Sequence, residues 1–409
     1  MGKNFYFLWL SISCSKLASS LYTMTVTLIL YNLTKSATLA SVIMLTYVLG
    51  KLASSLCLPI LNKCLSVNQL LFRGLLLQLL LILLYFLVLN FNNVLPALGY
   101  LVIIYTVTLS IGFSDGIISP SRNSLIPDVV KRENLEKANG LIGTVDQTLS
   151  LLGWALGALL INIFGSSFII LSIVILIIFA AVSSYLIFVP DKKQAMEKSN
   201  NIELIKLGWK LLFDKKSNLI LITTMDILEG IASSIWIGGI TLVFVQSVLH
   251  KSEEWWGYIN AGYFIGSIVG GLLITLYSKK ISKNLIKSII FSSFTVSLLV
   301  LIYSLNSNAY IALLLVVLMG PFYQMRDISQ QSFIQKNTSS TELINLYIAK
   351  DNMYYIIFAL SVFVSGFISD FFGVVYVYYL AFSLYLISSI TGVFLLRKSR
   401  NINKKVRSI

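Results

Sequence analysis

Apolar residues run along this chain in long blocks broken by short polar stretches, and the blocks show no residue-by-residue alternation. Twelve of them read near 5–30, 38–60, 67–90, 94–118, 139–162, 167–189, 219–248, 256–277, 285–305, 309–325, 346–369 and 374–396. A block of about 20 apolar residues matches the ~30 Å hydrocarbon core of a bilayer. Inside that core each backbone amide and carbonyl must be satisfied within the protein, which leaves helices or closed barrels. Barrel strands are shorter and alternate with period two. The pattern therefore predicts an all-α membrane protein with twelve transmembrane helices.

Composition agrees with the pattern. The 409 residues are 57% hydrophobic and 12% charged, against roughly 25% charged in soluble domains. The apolar N-terminal run has no small-residue cleavage site and continues through Lys16 to about Leu30, so it is expected to stay as the first helix. A Met-Gly start with Tyr6 at the sixth position does not fit myristoylation. Cys14, Cys57 and Cys64 form no CxxC and are expected to be small packing residues.

The net charge of +14 changes meaning once it is distributed along the chain. With loops assigned alternately to two sides, all but five of the 31 Lys and Arg fall on one side. Lys35 and Lys251 lie opposite, and Lys16, Lys51 and Lys350 fall within helices. The positive-inside rule then places both termini and the central loop in the cytoplasm. The basic excess reflects membrane topology, and no nucleic-acid partner is expected.

The Lys-rich segment 191–216 divides six helices from six. The expected organisation is a bundle over 1–190, a cytoplasmic linker over 191–216, a second bundle over 217–396 and a basic tail over 397–409. Sliding the chain by 216 places Tyr47 on Tyr263, Gly50 on Gly266 and Lys63 on Lys279. A slide of 208 places Ile126 on Ile334, Leu135 on Leu343, and "IFG" at 163–165 on "FFG" at 371–373. Equal crossing parity makes this a parallel repeat about an axis along the membrane normal.

The stretch "SPSRNSLIPDVVKRENLEKANG" at 119–140 is expected to connect helices four and five, with Pro120 and Pro127 stopping one helix and Asn139-Gly140 opening the next. Its counterpart at 321–347 joins helices ten and eleven. Pro120, Arg122, Ile126, Pro127, Glu133, Leu135, Ala138 and Asn139, followed by "LSLLGWALGALL", resemble a branch of the major facilitator superfamily that contains macrolide-type and other small-molecule exporters. "WGYINAGYFIGSIVGGLL" at 256–273 is similar to the eighth helix of that branch. The resemblance implies two six-helix bundles, export by alternating access, proton antiport, and first and seventh helices that line a central cavity. The chain departs from the family at Asn62-Lys63, where an Asp-Arg pair is usual. It departs again at Gly153 to Ala158, which lacks the proline of the helix-five antiporter motif, and at Asp115 on helix four, where an arginine is often found.

Ionisable residues at membrane depth are expensive and mark candidate sites. Lys16 shares a helical face with Ser20, Thr23 and Thr27, and Asp226 and Glu229 share one with Ser233 and Trp236. These residues, with Tyr263, are the candidates for a substrate and proton cavity in which Lys16, Asp226 and Glu229 form a mixed-charge cluster. A structural ion pair between the bundles is the competing reading. Lys51, Asp115, Arg122, Asp146, Arg326 and the Lys350-Asp351 pair are expected to serve as gate or coupling charges, with Arg122 and Arg326 anchoring helix ends at the inner face and Lys350-Asp351 starting helix eleven.

One histidine, His250, gives no His-based metal site, and no metal or cofactor is expected. No GxxxxGK[ST] motif is present to power transport by nucleotide hydrolysis. The loops lack DxxxD-type or HxxxxD-type clusters, which argues against a membrane-embedded transferase and against enzymatic activity generally. The expected partners are a small-molecule substrate, protons and membrane lipid, and the expected form is a monomer in a bacterial plasma membrane. Drug-like compounds, a siderophore-like metallophore and a lysophospholipid all remain open as cargo, as does uptake by symport.

Overall fold

The computed structural model describes residues 1–34, 37–90, 97–189, 201–214, 218–236 and 238–407, and every regular element among them is helical. The first half of the chain supplies α1 (Lys3–Thr34), α2 (Ala37–Cys64), α3 (Val67–Asn90), α4 (Ala97–Val129) and α5 (Leu135–Tyr185), followed by α6 (Asn201–Leu212). The second half supplies α7 (Leu219–Ala232), α8 (Gly238–Ser247), α9 (Glu254–Leu276), α10 (Ser278–Ser282), α11 (Leu285–Ser304), α12 (Ala309–Asn337), α13 (Ser340–Phe372) and α14 (Val374–Arg407). Ten stretches among the described residues are long and apolar enough to cross a membrane. With α1 and the first leg of α5, the fold is the all-α, twelve-span arrangement that the apolar blocks predict. Large apolar side chains such as Leu80, Leu87, Phe363 and Phe371 stay exposed, as a surface bathed in acyl chains requires.

Two glycines set the hairpins of the repeat. Gly165, inside α5, has φ 80 and ψ 165, and it turns that element into two legs. Gly373, between α13 and α14, has φ 99 and ψ 152. These dihedrals are open essentially to glycine alone, and the two residues stand 208 apart, as "IFG" and "FFG" do in the sequence. Helix pairing repeats as well. A side chain at Gly50 would meet the Leu109 carbonyl oxygen at 2.0 Å, and one at Gly266 would meet that of Val317 at 2.2 Å. The α2 and α4 backbones therefore touch where Gly50 and Gly112 face each other, and α9 and α12 touch where Gly266 and Gly320 do.

The chain falls into two compact units. The first comprises Met1–Lys131, Thr148–Gly208 and Ser340–Ala349; the second comprises Arg132–Gln147, Trp209–Ser339 and Lys350–Ile409. Each unit thus takes the opening turns of one helix from the other sequence half: 135–147 of α5, with the 3-10 turn at 132–134 before it, joins the second unit, and 340–349 of α13 joins the first. In the first unit, Ile344 and Ile348 pack with Leu58, Leu70 and Ile117. A second cluster in that unit centres on Tyr22, Tyr85, Ile104 and Ile173. The second unit packs around Phe244, Tyr303 and Tyr378, with Tyr303 and Tyr378 rings stacked 5.3 Å apart.

Several boundaries differ from the sequence expectation. Pro120 and Pro127 do not stop helix four but lie inside α4, which runs to Val129. Proline removes one amide and crowds the carbonyl four residues back, yet a buried transmembrane helix tolerates it when local groups satisfy the freed backbone. Hydroxyls bond neighbouring carbonyls of the same turns, though not those of Gly116 and Asn123 that the prolines free: Ser121 Oγ donates to Ile117 O at 2.7 Å and Ser124 Oγ to Pro120 O at 2.6 Å. Asn139-Gly140 does not open a span either, because α5 begins at Leu135. The polar stretch 321–347 is helical nearly throughout, within α12 and α13, so Lys350-Asp351 lies ten residues inside a helix instead of at its start.

The span predicted over 219–248 is broken. α7 gives way to a 3-10 turn at Ser233–Trp236 before α8. Carbonyls at the break find side-chain donors, with Thr241 Oγ1 donating to Ile235 O at 2.8 Å and Ser233 Oγ to Gly230 O at 2.7 Å. Within the expected linker 191–216, residues 201–212 form α6, whereas 191–200, 215 and 216 lie outside the described residues, as does Lys35. Helix α14 continues through much of the expected tail. The three cysteines are free; Cys14 is half-buried, and Cys57 and Cys64 are exposed instead of packed.

Candidate functional site

The densest charge cluster lies in the second unit and is built on α7, α12 and α13. Three-residue spacing puts Asp226 and Glu229 on one face of α7, and both are buried. Arg326, midway along α12, reaches both. Its Nε lies 2.7 Å from Glu229 Oε2, its Nη2 3.1 Å from Asp226 Oδ1, and its Nη1 2.8 Å from Asp327 Oδ1. Lys350 Nζ on α13 pairs with Asp226 Oδ2 at 3.1 Å. The other Glu229 oxygen, Oε1, accepts from Ser293 Oγ at 2.7 Å and from Ser388 Oγ. A buried carboxylate is tolerated only when its lone pairs are filled in this way.

An aromatic wall adjoins this cluster. Tyr323, one turn before Arg326 on α12, accepts the Trp236 indole proton at 2.9 Å. The Tyr263 and Tyr385 rings lie 6.0 and 5.8 Å from Tyr323. The 3-10 break after α7 presents Trp236 there, beyond the two carboxylates.

A second cluster lies in the first unit. Lys16, Ser20 and Thr23 of α1 line a cavity of 250 Å³ together with Lys51, Asp115 and Arg122. The lining is mostly polar: three cations face one carboxylate among serine and threonine hydroxyls. Lys51 Nζ and Asp115 Oδ2 pair at 2.6 Å across the α2–α4 seam. The Tyr47 hydroxyl hydrogen-bonds Asp115, and its ring lies 4.9 Å from Lys51 Nζ. Gly112 and Gly116 let the two helix backbones approach closely enough for that pair to form. Shifting by the repeat offsets places Ser267 and Tyr323 in the equivalent positions of the second half, so the packing repeats and the charges do not.

The structure regroups the residues singled out from sequence. Lys16, Ser20 and Thr23 fall in one unit, and Asp226, Glu229, Trp236 and Tyr263 in the other. Lys51, Asp115 and Arg122, expected as gate charges, share the Lys16 cavity. Arg122 and Arg326 do not anchor helix ends, since α4 and α12 continue beyond both. Arg326 instead bridges three carboxylates. Asp146 is half-buried on α5 within the second unit, and Asp351 is half-buried next to Lys350. His250 is exposed beyond α8.

Sequence reasoning passed over Asp327 and, among the described residues, both members of a further ion pair. Glu136, fully buried near the start of α5, pairs with Lys336 of α12 at 2.5 Å, and Lys336 Nζ also donates to Ser282 Oγ at 2.9 Å. One turn on, Asn139 Nδ2 donates to Ser332 Oγ at 2.9 Å and Gln335 Oε1 at 2.8 Å. The signal was available: sliding by 208 aligns the polar stretches holding these residues, but reading both as loops hid the helical faces.

A model of the Major Facilitator Superfamily matches residues 8–349. The chain is 35% identical to the uncharacterized MFS-type transporter YfmI of Bacillus subtilis (strain 168), over 99% of this chain and 100% of that protein. It is 30% identical to the uncharacterized MFS-type transporter YjbB of the same organism, over 86% of this chain and 85% of that one. In fold it is similar to a bacterial homologue of the iron transporter ferroportin in an outward-facing state, with a TM-score of 0.76 at 12% identity, covering 96% of this chain and 99% of that one. Twelve spans, a repeat with matching glycine hairpins, and charge clusters buried among the helices accord with these matches: the chain belongs to the major facilitator superfamily of multi-pass membrane transporters.

Proposed function

We propose that this transporter exports a small anionic or zwitterionic metabolite by alternating access, in exchange for protons. The observation that carries the reading is the first-unit cavity, where Lys16, Lys51 and Arg122 face the single carboxylate of Asp115 among hydroxyl groups. Such a lining attracts a carboxylate or phosphate and repels a cation. At 250 Å³ it falls below the roughly 300–1,000 Å³ of pockets that enclose drug-sized ligands, which favours a small polar ligand or the charged end of a larger one. That argues against a macrolide-like cargo and leaves a metallophore or a lysophospholipid headgroup as candidate chemistries.

The second-unit cluster is the candidate for coupling. Asp226, Glu229 and Asp327 outnumber Arg326 and Lys350 by one charge. Proton uptake on Glu229 would remove the charge that holds Arg326 Nε and free α12 from α7. A membrane potential supplies ~2.3 kcal/mol per charge per 100 mV for such a step. The Glu136–Lys336 pair, inside the second unit, is the candidate for holding the start of α5 on α12. Outward direction rests on the resemblance of 119–162 to exporters, and the Lys distribution supports cytoplasmic termini in a bacterial plasma membrane.

The test is metabolite profiling of cells lacking the protein against cells overproducing it, followed by flux of the enriched compound into inverted vesicles. Accumulation inside vesicles that needs an imposed proton gradient supports export by antiport. Lys16→Ala and Glu229→Gln should each abolish it at equal membrane abundance. Unchanged flux in both variants would discard the assignment of these sites, and flux in the reverse sense would replace export with uptake.

A further inference from the structure

A groove of 550 Å³ in the second unit is chemically unlike either charge cluster. Its walls come from α9, α11 and α12 and include Leu273, Phe291, Phe322 and Met325, while Lys280 of α10 and Lys287 of α11 stand at its edge. Gly270 lies directly on Pro321, where a side chain would meet the Pro321 Cα at 2.5 Å, so α9 and α12 close against each other at this wall of the groove. Leu273 and Phe291 are 43% and 56% exposed at its opening, which suits contact with acyl chains. No acidic side chain is among its lining residues.

We propose that this groove binds an anionic phospholipid from the leaflet on the Lys-rich side, one acyl chain lying along Leu273 and Phe291 and the phosphate held between Lys280 and Lys287. A groove with an apolar floor and a cationic edge matches an amphiphile with an anionic head, and basic pockets between transmembrane helices recognise such headgroups. A polar substrate would gain nothing from the walls, and a neutral lipid nothing from the lysines. The site is separate from both clusters assigned to transport, so it stands whether or not the transport assignment does. The bound lipid would brace α10, a five-residue helix that links α9 to α11 and also supplies the Ser282 contact to Lys336.

The full-length protein purified in detergent is the material for the test. Its thermal unfolding midpoint is followed during titration with phosphatidylglycerol, with phosphatidylcholine of the same chains, and with glycerol 3-phosphate alone; native mass spectrometry counts retained lipids. Phosphatidylglycerol should raise the midpoint and be retained, phosphatidylcholine should do so much less, and glycerol 3-phosphate should have no effect. Both edge lysines are exposed, so Lys280→Gln/Lys287→Gln should fold and bind phosphatidylglycerol about tenfold or more weaker. Leu273→Trp, which fills the groove with both lysines intact, should weaken it too. Lys279→Gln/Lys283→Gln changes exposed lysines outside the lining and should leave binding as it was. Equal stabilisation by both lipids, full effect from glycerol 3-phosphate, or equal loss in the two lysine pairs would overturn the proposal.

Discussion

Arg326 and Glu229, nearly a hundred residues apart in the chain, meet with Nε and Oε2 separated by 2.7 Å in the interior of the second unit. Removing one member of a buried pair strands the other charge and costs about 3–5 kcal/mol, whereas neutralising both costs much less. Arg326→Gln should therefore lower the unfolding midpoint in detergent sharply, and adding Glu229→Gln should restore part of the loss. Asp226 loses Arg326 in both variants and keeps only Lys350, so recovery will be incomplete. If the double variant is no more stable than Arg326→Gln alone, the pair is not what holds α7 to α12.

Lys16 and Arg122 are proposed to hold the anionic end of the cargo, and a charge-assisted hydrogen bond contributes about 1.5–3 kcal/mol. Once the compound is known, Lys16→Gln should weaken its binding by roughly 10- to 100-fold. The fold should persist, because the side chain borders an open cavity. Lys16→Arg should recover part of the affinity. Titration calorimetry on the purified protein gives both values, and an affinity untouched by Lys16→Gln would remove this residue from the site.

The hairpin glycines give a prediction with opposite signs at different glycines. Gly165→Ala and Gly373→Ala place a side chain on a backbone with φ 80 and φ 99 and should each destabilise by about 1–3 kcal/mol. Gly366, inside α13 with open space where a side chain would go, should accept alanine with no loss or a gain of up to about 1 kcal/mol. Unfolding midpoints of the three variants decide the matter; comparable losses in all would mean that backbone geometry is not the cause.

Breaking the Glu136–Lys336 pair should loosen the start of α5 from α12. Glu136→Gln leaves Lys336 with Ser282, and it should raise the reaction rate of a cysteine placed at Ser332, in a background without native cysteines, toward a polar thiol reagent. A several-fold increase is expected for a weakening of about 1 kcal/mol. An unchanged rate would show that Asn139 and Gln335, the partner that the cysteine does not replace, hold the contact unaided.

Hydrophobicity alone determined the fold class, because a bilayer imposes one length on every span and one way of satisfying its backbone. The repeat was legible too: "IFG" and "FFG" mark the same turn, and Gly50 and Gly266 the same helix contact, since both depend on the absence of a side chain at a particular position. What the tertiary structure decided was partnership. Nothing local to Arg326 shows that Glu229 and Asp226 converge on it beside its neighbour Asp327, and nothing near Lys51 shows that Asp115 lies 2.6 Å away across a glycine seam. The polar stretches at 119–140 and 321–347 look like loops because their charges are counted one by one. They are helical over most of their length, and Glu136, Lys336 and Arg326 within them are neutralised by partners from distant helices, a long-range compensation that no window of sequence contains.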